Sequence, residues 1–267
     1  MESGNLLFAF GITLAAGLAT AIGSLIAFLS KKQSPAFLSS MLGFSAGVMI
    51  YVSMIEIFPK AEVALTNDLG GQWGPWVAVL GFFGGMGLIA VIDKVVPSEM
   101  NPHEITNAIS GIDSAQRARL MRMGMVTAFA IGIHNFPEGF ATFLSAINDP
   151  EVAIPIAVAI GLHNIPEGIA VSAPIYYATG SRAKAFWLSA ASGLAEPLGA
   201  LVGFLVLSTF VSDTLMGMSL AAVAGIMIFI SVDELLPSAE EFGKHHVAIY
   251  SMVAGMGVMA LSLLLLN

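Results

Sequence analysis

The chain has 267 residues, 57% of them hydrophobic and only 10% charged, with a mean hydropathy of +0.86 and a net charge of −8. About a quarter of the residues of a soluble domain carry charge, so this chain cannot wet its own surface. Soluble enzymes, nucleic-acid binders and disordered chains are excluded, and the absence of cysteine removes disulfides, thiolate metal sites and iron–sulfur clusters.

A membrane-spanning helix needs roughly 20 apolar residues, and eight such stretches follow one another along the chain. Spans 1, 2 and 3 are expected at roughly 6–29, 36–58 and 73–96. The first has no basic leader and no cleavage site, so it reads as a retained helix rather than a signal peptide. Lys31, Lys32 and Pro35 separate it from span 2, Pro59 is read as the stop of span 2, and Gly70-Gly71 precedes span 3. A polar loop at roughly 97–120 leads into span 4 at 121–147, and Asp149-Pro150 divides it from span 5 at 152–178. Gly180 precedes span 6 (roughly 185–210), which carries Glu196-Pro197, and Gly243-Lys244-His245-His246 separates span 7 (215–236) from span 8 (247–266). Pairs such as Gly43/Gly47 and Gly81/Gly85 suit close helix packing in lipid. Gly-rich faces of this kind are also compatible with a homodimer.

The placement of positive charge sets the direction of threading. Lys31, Lys32, Lys94, Arg117, Arg119, Arg122, Arg182, Lys184 and Lys244 fall on one side of an eight-span chain, and Lys60 alone falls on the other. The positive-inside rule puts those nine in the cytoplasm and both termini outside. Residues 97–120 then form a cytoplasmic loop within a single membrane domain, 1–267.

Residues 46–62, AGVMIYVSMIEIFPKAE, and 224–240, AGIMIFISVDELLPSAE, agree at nine of 17 positions, including Ser53/Ser231, Glu56/Glu234, Pro59/Pro237 and Glu62/Glu240. Spans 2 and 7 run in opposite directions, so the expected fold is all-α with an inverted repeat of spans 1–3 and 6–8 around a central 4/5 pair. Inverted repeats characterise secondary transporters, whose sites lie near the midplane.

The central pair carries the chemistry. Span 4 contains His134-Asn135-Phe136-Pro137-Glu138-Gly139 and span 5 contains His163-Asn164-Ile165-Pro166-Glu167-Gly168, 29 residues apart. His and Glu at i and i+4 share one helix face, about 6 Å apart along the axis. In antiparallel helices His134 stands level with Glu167, and Glu138 with His163. Imidazole, carboxylate and carboxamide groups together suit zinc, iron, manganese and similar ions. Pro137, Pro166 and Pro197 would each release the carbonyl four residues back, those of Ile133, Leu162 and Gly193. Glu196 adds a third mid-span carboxylate. Ionisable groups at this depth are expensive, ~2.5–3.5 kcal/mol each, and with no basic partner nearby they call for cations. The candidate metal ligands are therefore His134, Asn135, Glu138, His163, Asn164, Glu167 and Glu196.

With its paired HN-x-PEG motifs, Glu196 in span 6 and AGIMIFISVDELLP, the chain resembles over its whole length the ZIP (Zrt/Irt-like) family of divalent-metal transporters, in its bacterial form. That resemblance implies zinc uptake across the bacterial inner membrane, with tolerance of iron, manganese, cobalt and cadmium as further substrates and no resident cofactor. It also implies adjacent ion positions bridged by Glu138 and Glu167, with His134 and His163 toward one and Asn135, Asn164 and Glu196 toward the other. Met49 stands where the family sometimes has a thioether ligand, although a core Met is the commoner reading. Glu56 reads as an entrance ligand or as a satisfied helix-end carboxylate. The loop that is often His-rich in the family offers only His103 here, and His245-His246 is a weak substitute. No phosphate loop is present, so alternating access without ATP is expected. An intramembrane metalloprotease would need HExxH, which is absent. A proton-coupled carrier of a small organic substrate is the alternative, but all ten basic residues lie at span ends or in loops.

Overall fold

The computed structural model describes residues 3–28, 34–95, 113–148, 150–207, 212–242 and 245–266, and these are helical almost throughout. Helices α1 (Ser3–Ala27), α2 (Pro35–Val52), α3 (Phe58–Leu69), α4 (Gly74–Val95) and α5 (Ser114–Asn148) come first. They are followed by α6 (Pro150–Thr179), α7 (Arg182–Gly193), α8 (Ala195–Val202), α9 (Asp213–Phe229), α10 (Leu236–Phe242) and α11 (His245–Leu266). Six rods among the described residues are long and apolar enough to cross a membrane, at 5–27, 35–69, 74–92, 182–205, 214–241 and 245–265. α5 and α6, which carry the HN-x-PEG motifs, are not among the six.

Local signals explain several helix ends. Ser34, Ser181 and Ser212 accept bonds from the amides of Phe37, Lys184 and Leu215, capping the first turns of α2, α7 and α9. α3 ends at Gly70 and α6 before Gly180, whose φ values of +84° and +68° a side chain would resist. Asp113 and Gln116 form a reciprocal capping pair (Gln116 N to Asp113 Oδ1 2.8 Å), so α5 starts at Ser114, inside the segment read as loop. Residues 97–112, with His103, lie outside the described residues.

Pro59 does not stop the second rod. Ser53–Ile57 forms a π-helical turn, with Phe58 N–H bonded to the Ser53 carbonyl, and the helix continues to Leu69. The extra residue accommodates a proline that lacks a donor and whose ring would crowd the carbonyl four back. Ile230–Leu235 does the same before Pro237, with Leu236 N–H on the Ser231 carbonyl. Ser53 and Ser231 each bond the carbonyl four residues earlier, Met49 at 2.6 Å and Met227 at 2.7 Å. Pro197 has a stronger effect: the rod at 182–205 breaks at Leu194, between α7 and α8.

Packing divides the rods into two groups. α2 lies on α11, and α4 on α9; α1 lies on α6, and α5 on α6 and α8. Glycines make these crossings close. A Cβ on Gly47 would sit 2.0 Å from the Met252 carbonyl, and one on Gly225 would sit 1.9 Å from that of Phe82. Gly43, Gly81 and Gly85 also face neighbouring rods of the same chain, so these glycines are used within it rather than on a dimer face. α2 touches α6 across the seam between groups, where Ser45 Oγ donates to the Pro166 carbonyl at 2.8 Å.

Candidate metal site

α5 passes unbroken through Pro137, and α6 through Pro166. The two helices bring their motifs face to face. His134 Nε2 lies 3.1 Å from Glu138 Oε2 on its own helix and 3.2 Å from Glu167 Oε1 across the pair, and His163 Nε2 lies 2.9 Å from Glu138 Oε1. His134, His163 and Glu167 each offer a ligand atom within 4.8 Å of the others.

These close approaches lack the angles of hydrogen bonds. Nε2 of both histidines, Glu138 Oε2 and both oxygens of Glu167 are buried without a hydrogen-bond partner, and so are Asn135 Oδ1, Asn164 Oδ1 and Glu196 Oε2. All seven residues singled out in the sequence thus contribute an unsatisfied buried N or O. A native interior leaves few such atoms unpaired, and here they are gathered in one place. Ligands arranged tetrahedrally about 2.1 Å from zinc lie about 3.4 Å from one another. The observed His–Glu spacings are of that order, and His134, His163 and Glu167 offer ligand atoms close enough together to hold an ion.

The asparagines are held from behind. Asn135 Nδ2 donates to the Ser192 carbonyl (3.2 Å), and Asn164 Nδ2 to the Ala16 carbonyl (2.9 Å) and to Glu196 Oε1. With its amide donors thus engaged, each presents its carbonyl oxygen, the atom a cation would use. The backbone anchors on α1 and α7 were not legible from spacing, because a carbonyl carries no sequence signature. The carbonyl of Gly193, four residues before Pro197, faces Gly17.

The remaining candidates lie elsewhere. Met49 is buried in the apolar core with Met227, as a core residue. Glu56 pairs with Lys60 beside a groove of about 500 Å³ lined by Pro59, Val63 and Asn67. His245 Nδ1 lies 2.9 Å from Glu240, and His246 stacks on Tyr250, both away from the motif pair.

A multi-pass helical membrane protein with an unsatisfied His/Glu/Asn cluster between two helices has the attributes of a metal-ion transporter rather than an enzyme. Comparison with known proteins gives the family. Residues 97–263 match the ZIP zinc transporter family. Zinc transporter ZupT of Streptococcus mutans is 60% identical over 263 residues, covering 98% of this chain and 99% of the relative. Those of Lysinibacillus sphaericus (60%; 98% and 99% covered) and Corynebacterium glutamicum (59%; 97% and 99%) are similarly close. The chain belongs to the ZIP zinc transporter family.

Proposed function

We propose that this protein imports zinc into the bacterial cytosol without ATP, through an ion position formed by His134, Glu138, His163 and Glu167. Iron, manganese, cobalt and cadmium are secondary substrates. The observation that carries the reading is the set of buried, unpaired ligand atoms on α5, α6 and α8. An ion supplies what no side chain nearby does, a positive charge among three carboxylates. A carrier of organic substrates would be expected to set an Arg or Lys at that depth, and the cluster contains none.

The packing supports alternating access. Eight rods thread the membrane with both termini outside, and the motif pair lies at mid-depth. The crossings come in matching pairs, as an inverted repeat would produce: α2 on α11 corresponds to α4 on α9, and α1 on α6 to α5 on α8. The Gly47–Met252 approach has its counterpart in Gly225–Phe82, and the two π turns stand at matching positions. Such a repeat allows one group of helices to move against the other and reverse access to a fixed site. Binding of a divalent ion offsets the negative charge and lowers the penalty of carrying the site through a lipid-flanked seam.

Zinc uptake into proteoliposomes containing the purified protein tests the reading. Protein-dependent accumulation down a zinc gradient, without nucleotide, is expected. Accumulation no faster than in empty vesicles contradicts it.

A further inference from the structure

Residues 17–23 of α1, GLATAIG, and 193–199 at the α7–α8 break, GLAEPLG, share Gly17/Gly193, Leu18/Leu194, Ala19/Ala195 and Gly23/Gly199. Their surroundings are reciprocal. A Cβ on Gly17 would lie 2.5 Å from the Gly193 carbonyl and 3.3 Å from Glu196 Cβ. One on Gly193 would lie 2.3 Å from the Gly17 carbonyl and 2.8 Å from Thr20 Cβ. Gly139 and Gly168, which close the two motifs, face the carbonyls of Glu196 and Thr20, at 2.1 and 1.8 Å from the Cβ each lacks. Asn135 and Asn164 donate to the carbonyls of Ser192 and Ala16, the residues four before Glu196 and Thr20. Thr20 therefore occupies on α1 the seat that Glu196 occupies on α8.

The Thr20 hydroxyl is uncommitted. Several other buried hydroxyls in these helices bond the carbonyl four residues back, as Thr13 does to Ala9 (3.0 Å), Thr142 to Glu138 (2.9 Å) and Ser172 to Gly168 (2.6 Å), whereas Ser24 and Thr127, like Thr20, have no partner but do not occupy the seat matching Glu196. Thr20 is fully buried and its Oγ1 has no partner, while the carbonyl four back, that of Ala16, receives Asn164. A buried hydroxyl without a partner is costly, and its seat is one that on the other side of the repeat holds a ligand candidate.

We propose that Thr20 is a further ligand of the transport site, its hydroxyl serving as a neutral oxygen donor opposite Glu196 at the ion position flanked by Asn135 and Asn164. This rests on the transport reading above. The two seats are then geometrically alike and electrically different, a carboxylate on one flank and a hydroxyl on the other. An added neutral oxygen matters most to ions that take six oxygen-rich ligands, such as manganese, and least to zinc, which is content with four.

The test compares zinc and manganese uptake by wild type, Thr20→Val, Thr20→Ser, Glu196→Thr, the exchange Thr20→Glu/Glu196→Thr, and Glu167→Gln, each normalised to protein in the membrane. Thr20→Val, of equal size but without the hydroxyl, should raise the KM for manganese about tenfold and that for zinc no more than about threefold, a loss of one donor. Thr20→Ser should behave as wild type. Glu196→Thr should transport poorly, and the exchange should recover much of the loss by returning a carboxylate to the matching seat, beside Asn135. A manganese KM for Thr20→Val within twofold of wild type, or equal losses for both metals, overturns the proposal. If Glu167→Gln is inactive while Thr20→Val is normal, the Thr20 assignment alone fails. If Glu167→Gln is itself normal, the transport site is misplaced and both fall.

Discussion

Glu167→Gln is the most informative substitution. Glu167 is fully buried, both its oxygens lack a hydrogen-bond partner, and Oε1 lies 3.2 Å from His134 Nε2. Glutamine keeps the volume but removes one negative charge and turns one oxygen into a donor facing would-be ligands. Removing one member of a buried charge cluster typically costs ~3–5 kcal/mol, or roughly two to four decades in affinity for the ion. The unliganded protein should respond in the opposite sense. With one fewer carboxylate beside Glu138 and Glu196, the empty site repels itself less, and the variant should unfold at the same temperature or higher. The assay is radioactive zinc uptake in cells lacking other importers, together with thermal unfolding in detergent with and without zinc. Uptake should be nearly abolished and the zinc-induced stabilisation lost, while the amount in the membrane stays normal. Wild-type uptake across micromolar zinc would refute the assignment of the site.

Selectivity should divide along the ligand types: His163→Ala, which removes the nitrogen 2.9 Å from Glu138, should reduce zinc uptake more than manganese uptake, since imidazole favours zinc. An equal loss for both, measured as the ratio of uptake rates, would show that the histidines do not discriminate. Threading can be read with single cysteines on the cysteine-free background. Those at Asn67 and Thr214 should react with an impermeant thiol reagent on intact cells, and those at Ser114 and Ser181 only after permeabilisation. Labelling of Ser114 from outside would invert or break the eight-span order.

Much of this architecture was legible because lipid makes polar residues conspicuous. His134, Glu138, His163 and Glu167 stand out in apolar helices, and their spacing alone places them on facing surfaces. Glu196 was legible for the same reason. What was not legible depended on backbone. Pro59 read as a stop, yet a π turn ahead of it lets the helix continue, as another does ahead of Pro237, an adjustment that depends on hydrogen-bond register rather than on residue type. The start of α5 at Ser114 was hidden because its capping pair is built from ordinary polar residues within a polar stretch. Thr20 was overlooked because a threonine in a span is unremarked until its unbonded hydroxyl and the reciprocal glycine contacts are seen.

The central claim is that the histidines and glutamates of the two motifs share one ion. Anomalous diffraction from crystals of the protein grown with zinc or cadmium measures this directly. The account predicts a peak bounded by Nε2 of His134, Nε2 of His163 and the carboxylates of Glu138 and Glu167, about 2.0–2.2 Å from its nitrogen and oxygen ligands for zinc, and absent in Glu167→Gln. A crystal saturated with metal that shows no peak between α5 and α6, with its ions bound elsewhere, would contradict it.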